Sequence, residues 1–191
     1  MISLRQLIAS IAVSEMKGIA DLGLPVMGVT SDSRFVEPGF VFVALQGEKV
    51  NGHNFVEDAV ARGCLAIVVE DEKGLSEGIP LVRVVDSHNA SGHLAAEYFG
   101  HPARNMNIIG LTGTNGKTTT SWMIEQVVKT GGWRPGVIGT VNYRYLSNAG
   151  KTIEFDAPLT TPEPMMLQRL LREMSDAGVT HVILEVSSHS L

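Results

Sequence analysis

The stretch Ile108-Ile109-Gly110-Leu111-Thr112-Gly113-Thr114-Asn115-Gly116-Lys117-Thr118-Thr119 decides how the second half of this chain folds. Its apolar opening reads as a buried strand, its glycines as a loop, and Lys117 to Lys129 as a helix. A phosphate tail needs several N–H donors converging without side chains in the way, plus a cation. A Gly-rich turn running into a helix N-terminus supplies both. Gly113 and Gly116 give bare backbone, Lys117 is placed to reach the β- and γ-phosphates, and the Thr118 hydroxyl to ligate Mg²⁺. Thr114, Asn115 and Thr119 complete a loop suited to ATP. The common form of such loops has a further glycine where this chain has Leu111, so the loop is a variant.

Downstream, Gly136-Val137-Ile138-Gly139 is a second strand, closing a βαβ unit. Asn142 to Phe155 alternates at Tyr143 and Tyr145 and predicts a hairpin turning near Asn148 to Gly150. Pro162 to Ala177 reads as a helix with proline in its first turn, and His181 to Val186 as a third strand. A parallel sheet of three strands leaves apolar faces and edges uncovered. The sequence therefore reads as the front part of a longer chain.

Upstream, apolar spacing at Leu4, Leu7, Ile8 and Ile11 predicts an opening helix, and Gly18 to Gly28 reads as turns and short strands. Strands are expected at Phe40 to Leu45, Leu65 to Val69 and Leu81 to Val85. Helices are expected at Asn54 to Arg62 and at Ser87 to Phe99, the latter capped by Asp86 or Ser87. The polar, proline-containing run His101 to Asn105 marks a break between domains 1–103 and 104–191. The fold class is α/β: a small N-terminal α/β domain, then the start of a P-loop-type parallel-sheet ATPase domain, truncated.

With 191 residues, 44% of them hydrophobic, the chain has material for a substantial core. Its net charge of −5 argues against a nucleic-acid partner, which selects a basic patch. The single cysteine, Cys64, makes no internal disulfide and no zinc cluster, which fits a reducing cytoplasm. No signal peptide and no membrane-length apolar run is read, and a soluble, monomeric protein is expected. His88, His93, His101 and His181 lack metal-ligand spacing.

The loop Thr112 to Thr119 resembles that of the Mur ligases, which build the peptidoglycan peptide, and of the related folylpolyglutamate and cyanophycin synthetases. Leu159-Thr160-Thr161-Pro162-Glu163 and Glu185-Val186-Ser187-Ser188-His189-Ser190-Leu191 are similar to motifs of the MurE class, which adds the third amino acid. Thr30-Ser31-Asp32-Ser33-Arg34, with Pro38-Gly39 and Phe42-Val43-Ala44, resembles the uridine-nucleotide domain shared by the MurE and MurF classes.

The resemblance implies an ATP-dependent amide ligase. ATP would phosphorylate the D-glutamate side-chain carboxylate of UDP-N-acetylmuramoyl-L-alanyl-D-glutamate, and meso-diaminopimelate or L-lysine would attack the acyl phosphate. It implies Glu185 as a Mg²⁺ ligand beside Thr118, and His189 near the metal and phosphates. Thr160, Thr161 and Ser187 would contact the muramoyl and diphosphate part of the substrate. Ser31, Ser33 and the loop Glu48, Lys49, Val50 would surround the uridine nucleotide.

Plainer readings stand beside these. Glu185 would be a solvated strand-end carboxylate, Thr-Thr-Pro a capped helix start with proline at its first position, and Arg34 an ion-pair partner of Asp32. Asn51-Gly52-His53-Asn54 reads as turn chemistry with a helix cap. At the level of function, the alternatives are MurF, a folylpolyglutamate synthetase, or a nucleotide-binding module without ligase activity.

Overall fold

Three short apolar runs, Phe40–Val43 (β3), Ala66–Val69 (β4) and Leu81–Val84 (β5), are buried on both faces and lie parallel, β3 on β4 and β4 on β5. Gly28–Thr30 (β2) adds a parallel strand beyond β3, and Val13–Lys17 (β1) runs antiparallel on β5 at the other edge. The sheet order is β1-β5-β4-β3-β2. The computed structural model describes residues 1–47 and 51–187. It divides the chain into two compact units, Met1–Tyr98 and Phe99–Leu191.

Alternation along the strands decides what each face of the first sheet packs against. Phe42, Ala44, Ile67, Val69 and Leu81 join Val56 and Ala59 of the helix Val56–Ala61 (α2) in one core. Val41, Val43, Val68 and Val82, pointing the other way, are also buried. The remaining helices are Leu4–Ile8 (α1) and Ser87–Tyr98 (α3), which pack on each other. α1 carries a complete capping box between Ser3 and Gln6. The Asp86 carboxylate caps α3 by accepting from the Asn89 N–H at 2.8 Å. Ser87 is buried and its hydroxyl donates instead to Glu70, at 2.7 Å.

The sequence left β1 unassigned inside a run read as helix and turns. Its residues are half-buried or exposed, and Glu15 and Lys17 sit on an unpartnered edge, so no apolar alternation announces it.

In the second unit, Asn107–Leu111 (β6), Pro135–Ile138 (β7) and His181–Glu185 (β10) are the expected parallel strands, with β10 in the middle. The hairpin Asn142–Leu146 (β8) and Thr152–Asp156 (β9) is not separate from them. β8 pairs antiparallel with β7, giving one five-stranded sheet of order β6-β10-β7-β8-β9. The three-stranded sheet expected from the sequence is corrected here: the hairpin covers the β7 edge.

Right-handed crossovers running in opposite directions across a sheet place their helices on opposite faces. The helix Lys117–Thr130 (α4) links β6 to β7, and Pro164–Asp176 (α5) leads back to β10. Leu170, Leu171 and Met174 of α5 pack with Ile138, Val182 and Tyr143. The opposite face, carrying Val137 and Ile183, is the α4 side. The α5 start is a second correction. Its N-cap is Glu163 and the proline at its start is Pro164, so neither Thr161 nor Pro162 holds the position read from the sequence. The helical turn Pro102–Asn105, expected at a domain break, belongs to the second unit, where Ala103 and Met106 pack on its core.

Candidate active site

The carboxyl ends of parallel strands are where open α/β sheets bind ligands, and three such ends meet here. β6 leads into the glycine loop Thr112 to Gly116, β7 into Gly139-Thr140, and β10 ends on Glu185, whose register partner is Leu111. Thr112 to Gly116 are exposed. Gly113 has φ +136° and Gly116 φ +80°, backbone conformations that favour glycine, and a Cβ at Gly116 would project into open space. The first intrahelical bond of α4 runs from Thr120 N to Gly116 O. The N–H groups of Lys117, Thr118 and Thr119 are thus left as first-turn donors, at the positive end of the helix. The Lys117 ammonium folds over the loop and donates to Gly113 O at 2.5 Å.

Glu185 is the centre of the site. It is 1% exposed, so the solvated strand-end carboxylate is ruled out. Alternation along β10 turns it to the α4 side, where three hydroxyls reach it, that of Ser121 sharing its hydrogen with Thr118 O at 2.8 Å. Thr118 Oγ1 lies 3.0 Å and Thr140 Oγ1 2.9 Å from Oε2, and Ser121 Oγ 3.1 Å from Oε1. Among the described residues it has no ion pair. Burying a carboxylate with only neutral donors is costly, and the arrangement suits a cation joining Glu185 and the Thr118 hydroxyl, both hard oxygen donors. No group of three or more His, Cys, Asp or Glu side chains that could hold a metal exists among the described residues. A cation here would complete its shell with phosphate oxygens and water.

Gly139 makes room for this carboxylate. A Cβ there would stand 2.7 Å from Glu185 Cδ and 3.1 Å from Cγ. Gly139, Thr140 and Ser121 escaped the sequence reading. The only signals were a small residue and a hydroxyl just past a strand end, and a serine one turn after Lys117.

Thr161 and Ser187 come together, but through an internal stitch. The Thr161 hydroxyl donates to Glu185 O at 3.1 Å and accepts from Ser187 N at 2.9 Å, tying the segment before α5 to the end of β10. Thr160 is half-buried, with its hydroxyl 3.2 Å from that of Thr140. His189, and Glu48, Lys49 and Val50, lie outside the described residues.

In the first unit, Ser31 sits half-buried between β2 and the helical turn Ser33–Phe35. Ser33 is 6% exposed, and its hydroxyl, with Arg62, holds the Asp58 carboxyl below its ordinary value. Arg34 does pair with Asp32, at 2.6 Å, and holds that carboxyl low as well. The Asn51 side chain accepts from His53 N, and Asn51 forms an antiparallel bridge with Gln46. Gly52 is packed so tightly that a Cβ would stand 2.7 Å from the Leu45 backbone. Burial pushes the Cys64 thiol up to about 11, the behaviour of a packing cysteine.

A second buried cluster lies on β8 and α4. Arg144 donates to Glu125 at 2.5 Å and to Asn142, and stacks 3.7 Å over Trp122, while Lys129 pairs with Glu125 from the next turn. Burial raises the Glu125 pKa, but these two cations outweigh it and the net shift is downward.

Two family descriptions match the chain in succession: the Mur ligase family catalytic domain at residues 25–109, and the Mur ligase middle domain at residues 111–191. A UDP-N-acetylmuramoyl-L-alanyl-D-glutamate--2,6-diaminopimelate ligase of Geobacillus thermodenitrificans is 44% identical over 166 residues, covering 87% of this chain and 32% of that protein. The ligase of the same name from Clostridium perfringens is 39% identical, covering 87% and 33%. Among solved structures, one of a ligase bearing that name superposes with TM-score 0.72 at 28% identity, over 98% of this chain and 36% of its own. The MurF ligase of Thermotoga maritima in complex with ADP gives 0.52 at 25% identity, over 84% and 32%. The chain thus spans about a third of the length of the curated relatives it matches. Both halves of the sequence, in order, carry the same signature: the chain belongs to the Mur ligase family.

Proposed function

We propose that this chain is the ATP-binding and substrate-nucleotide-binding part of an ATP-dependent ligase of the MurE class, acting in peptidoglycan precursor synthesis. The unit Met1–Tyr98 would take the UDP-muramoyl end of the substrate and the unit Phe99–Leu191 the ATP. The observation that carries the reading is the buried Glu185 carboxylate bonded to the Thr118 hydroxyl at the mouth of the phosphate loop. The names of the relatives favour 2,6-diaminopimelate over L-lysine as the incoming amine. No helix among the described residues is long and apolar enough to cross a membrane, and we place the reaction in the cytoplasm.

The chemistry follows from charge. A carboxylate and a triphosphate repel; Glu185 and Thr118 would hold a divalent cation, which would supply the neutralisation that lets them meet. Lys117 leaves Gly113 O for the β- and γ-phosphate oxygens, where its charge counts most as the γ-phosphoryl group transfers. Amide donors of the loop and the first turn of α4 hold the tail in line. The D-glutamate carboxylate would take the γ-phosphoryl group to become an acyl phosphate as ADP leaves, and the amine, losing a proton, would displace phosphate to leave the amide. Thr161 keeps the end of β10, and so Glu185, in register with the loop. By resemblance, His189 would take part in the same chemistry.

Calorimetric titration of the chain with ADP and Mg²⁺ tests the reading. Lys117→Ala removes a phosphate cation and no core volume, and should weaken ADP at least about tenfold, the loss of one charge-assisted contact, with unfolding unchanged. Equal affinity in the variant, or no ADP binding by the wild type, would refute the assignment.

A further inference from the structure

We propose that Ser121 is a specificity-determining residue: by holding the inner oxygen of Glu185 it makes that carboxylate a one-oxygen ligand, so that the site takes Mg²⁺ in preference to Ca²⁺. The proposal rests on the reading of Glu185 as a cation ligand. Thr118 and Ser121 lie three residues apart on one face of α4 and meet different oxygens of the carboxylate. Thr118, in the first turn beside the glycine loop, has its Oγ1 3.0 Å from Oε2. Ser121, a turn further from the loop and 1% exposed, has its Oγ 3.1 Å from Oε1. Oε2 is thus the outer oxygen and Oε1 the inner one.

Two flanks keep Oε1 inside. The single hydrogen of Ser121 is shared between Oε1 and Thr118 O, 2.8 Å away, so this hydroxyl is tied to the helix backbone and does not follow the carboxylate outward. Opposite it stands Gly139, where even an added Cβ would collide with the carboxylate. Thr140 steadies Oε2 at 2.9 Å from beyond the end of β7. A cation arriving with phosphates at the loop would therefore meet Oε2 and Thr118 Oγ1, and not Oε1.

Those two oxygens already have the spacing Mg²⁺ needs. Oxygen ligands set at right angles, about 2.0–2.1 Å from the ion, stand about 2.9–3.0 Å apart, and the observed separation is 3.0 Å. The Thr118 hydrogen need only turn away from Oε2, while Thr140 and Ser121 keep their places. Ca²⁺ sits about 2.3–2.6 Å from its oxygens and collects roughly six to eight of them, in many sites both from one carboxylate. With Oε1 withheld, the second carboxylate oxygen is not available to it. The preference is built by a residue that does not touch the cation.

Calorimetric titration of the chain with ADP in Mg²⁺, in Ca²⁺ and in EDTA reads the preference as the ratio of the two tightenings. In the wild type Mg²⁺ should tighten ADP at least about tenfold more than Ca²⁺ does. Ser121→Ala frees Oε1 to swing outward and should cut that ratio about fivefold, the weight of one hydrogen bond. Ser121→Thr keeps the hydroxyl and should retain the wild-type ratio. A wild-type ratio near one would overturn the proposal while leaving Glu185 as a ligand. So would an unchanged ratio in Ser121→Ala, including equal weakening with both cations, which is the behaviour of a purely structural serine. A folded Ser121→Thr with the ratio of Ser121→Ala would do the same. No tightening of ADP by Mg²⁺ in the wild type, or tightening unaffected by Glu185→Gln, would instead overturn the cation site itself, and the proposal with it.

Discussion

Substituting Gly139 by alanine tests the geometry of the site more sharply than removing any of its polar groups. The backbone at Gly139 is not in the left-handed region, so alanine fits the local chain and its effect is purely steric. The new methyl would stand 2.7 Å from Glu185 Cδ and 3.1 Å from Cγ, where carbon atoms settle near about 3.5–4.0 Å. One of the two must retreat by roughly 1 Å. The strands cannot supply that movement cheaply, because Ile138 and Leu184 are register partners in the ladder between β7 and β10. The carboxylate has no free volume either, being 1% exposed. Overpacking of this kind costs about 1–3 kcal/mol. If the carboxylate swings aside instead, hydroxyl bonds to a charged group are lost at about 1.5–3 kcal/mol each.

Both routes end in a displaced Glu185. Gly139→Ala should lower the urea midpoint by about 1 M, taking a slope of roughly 1–3 kcal/mol per M, and weaken ADP in the presence of Mg²⁺ at least about tenfold. Adding Glu185→Ala removes the clash. The double variant should regain most of the stability that Gly139→Ala loses and none of the lost nucleotide affinity, a non-additive pattern expected only of groups in contact. Unchanged midpoint and affinity in Gly139→Ala, or strictly additive stabilities, would refute the view that Gly139 exists to seat this carboxylate.

Two further outcomes concern carboxylates held by neighbouring side chains. Arg144→Met strips Glu125 of one of its two cations, leaving Lys129, and should cost about 1.5–3 kcal/mol, read from urea unfolding. Arg144→Met with Glu125→Gln should recover a large part of it. In the first unit, the amide and hydroxyl of Ser87 hold the Glu70 carboxyl below its ordinary value. A depressed folded-state pKa stabilises above the unfolded value, about 4.3, and that contribution disappears as pH falls through the lower folded value. Ser87→Ala should therefore shift the midpoint of acid unfolding upward in pH and lower stability at neutral pH by about 1 kcal/mol. An acid limb identical to that of the wild type would contradict it.

Much of this molecule was legible in one dimension. The glycine loop running into a helix was, because Gly113 and Gly116 permit the positive φ angles of its turn and Lys117 opens the helix that follows. The parallel strands were, because burial on both faces needs unbroken apolar runs such as Phe42 to Ala44 and Ala66 to Val69. Tertiary structure alone decided the rest. β1 carries its charges on an edge and shows no pattern, so only pairing with β5 reveals it. The hairpin could be foreseen but not its place, since a sheet edge is completed by hydrogen bonds that leave no trace in side-chain order. Thr161 looked like a helix cap and proved to be a stitch across to Ser187. Thr140, Gly139 and Ser121 meet Glu185 from two other elements. A carboxylate is seated by whatever the fold brings within hydrogen-bonding distance of it, and that distance is set by strand register, which the sequence encodes only through the packing of the whole sheet.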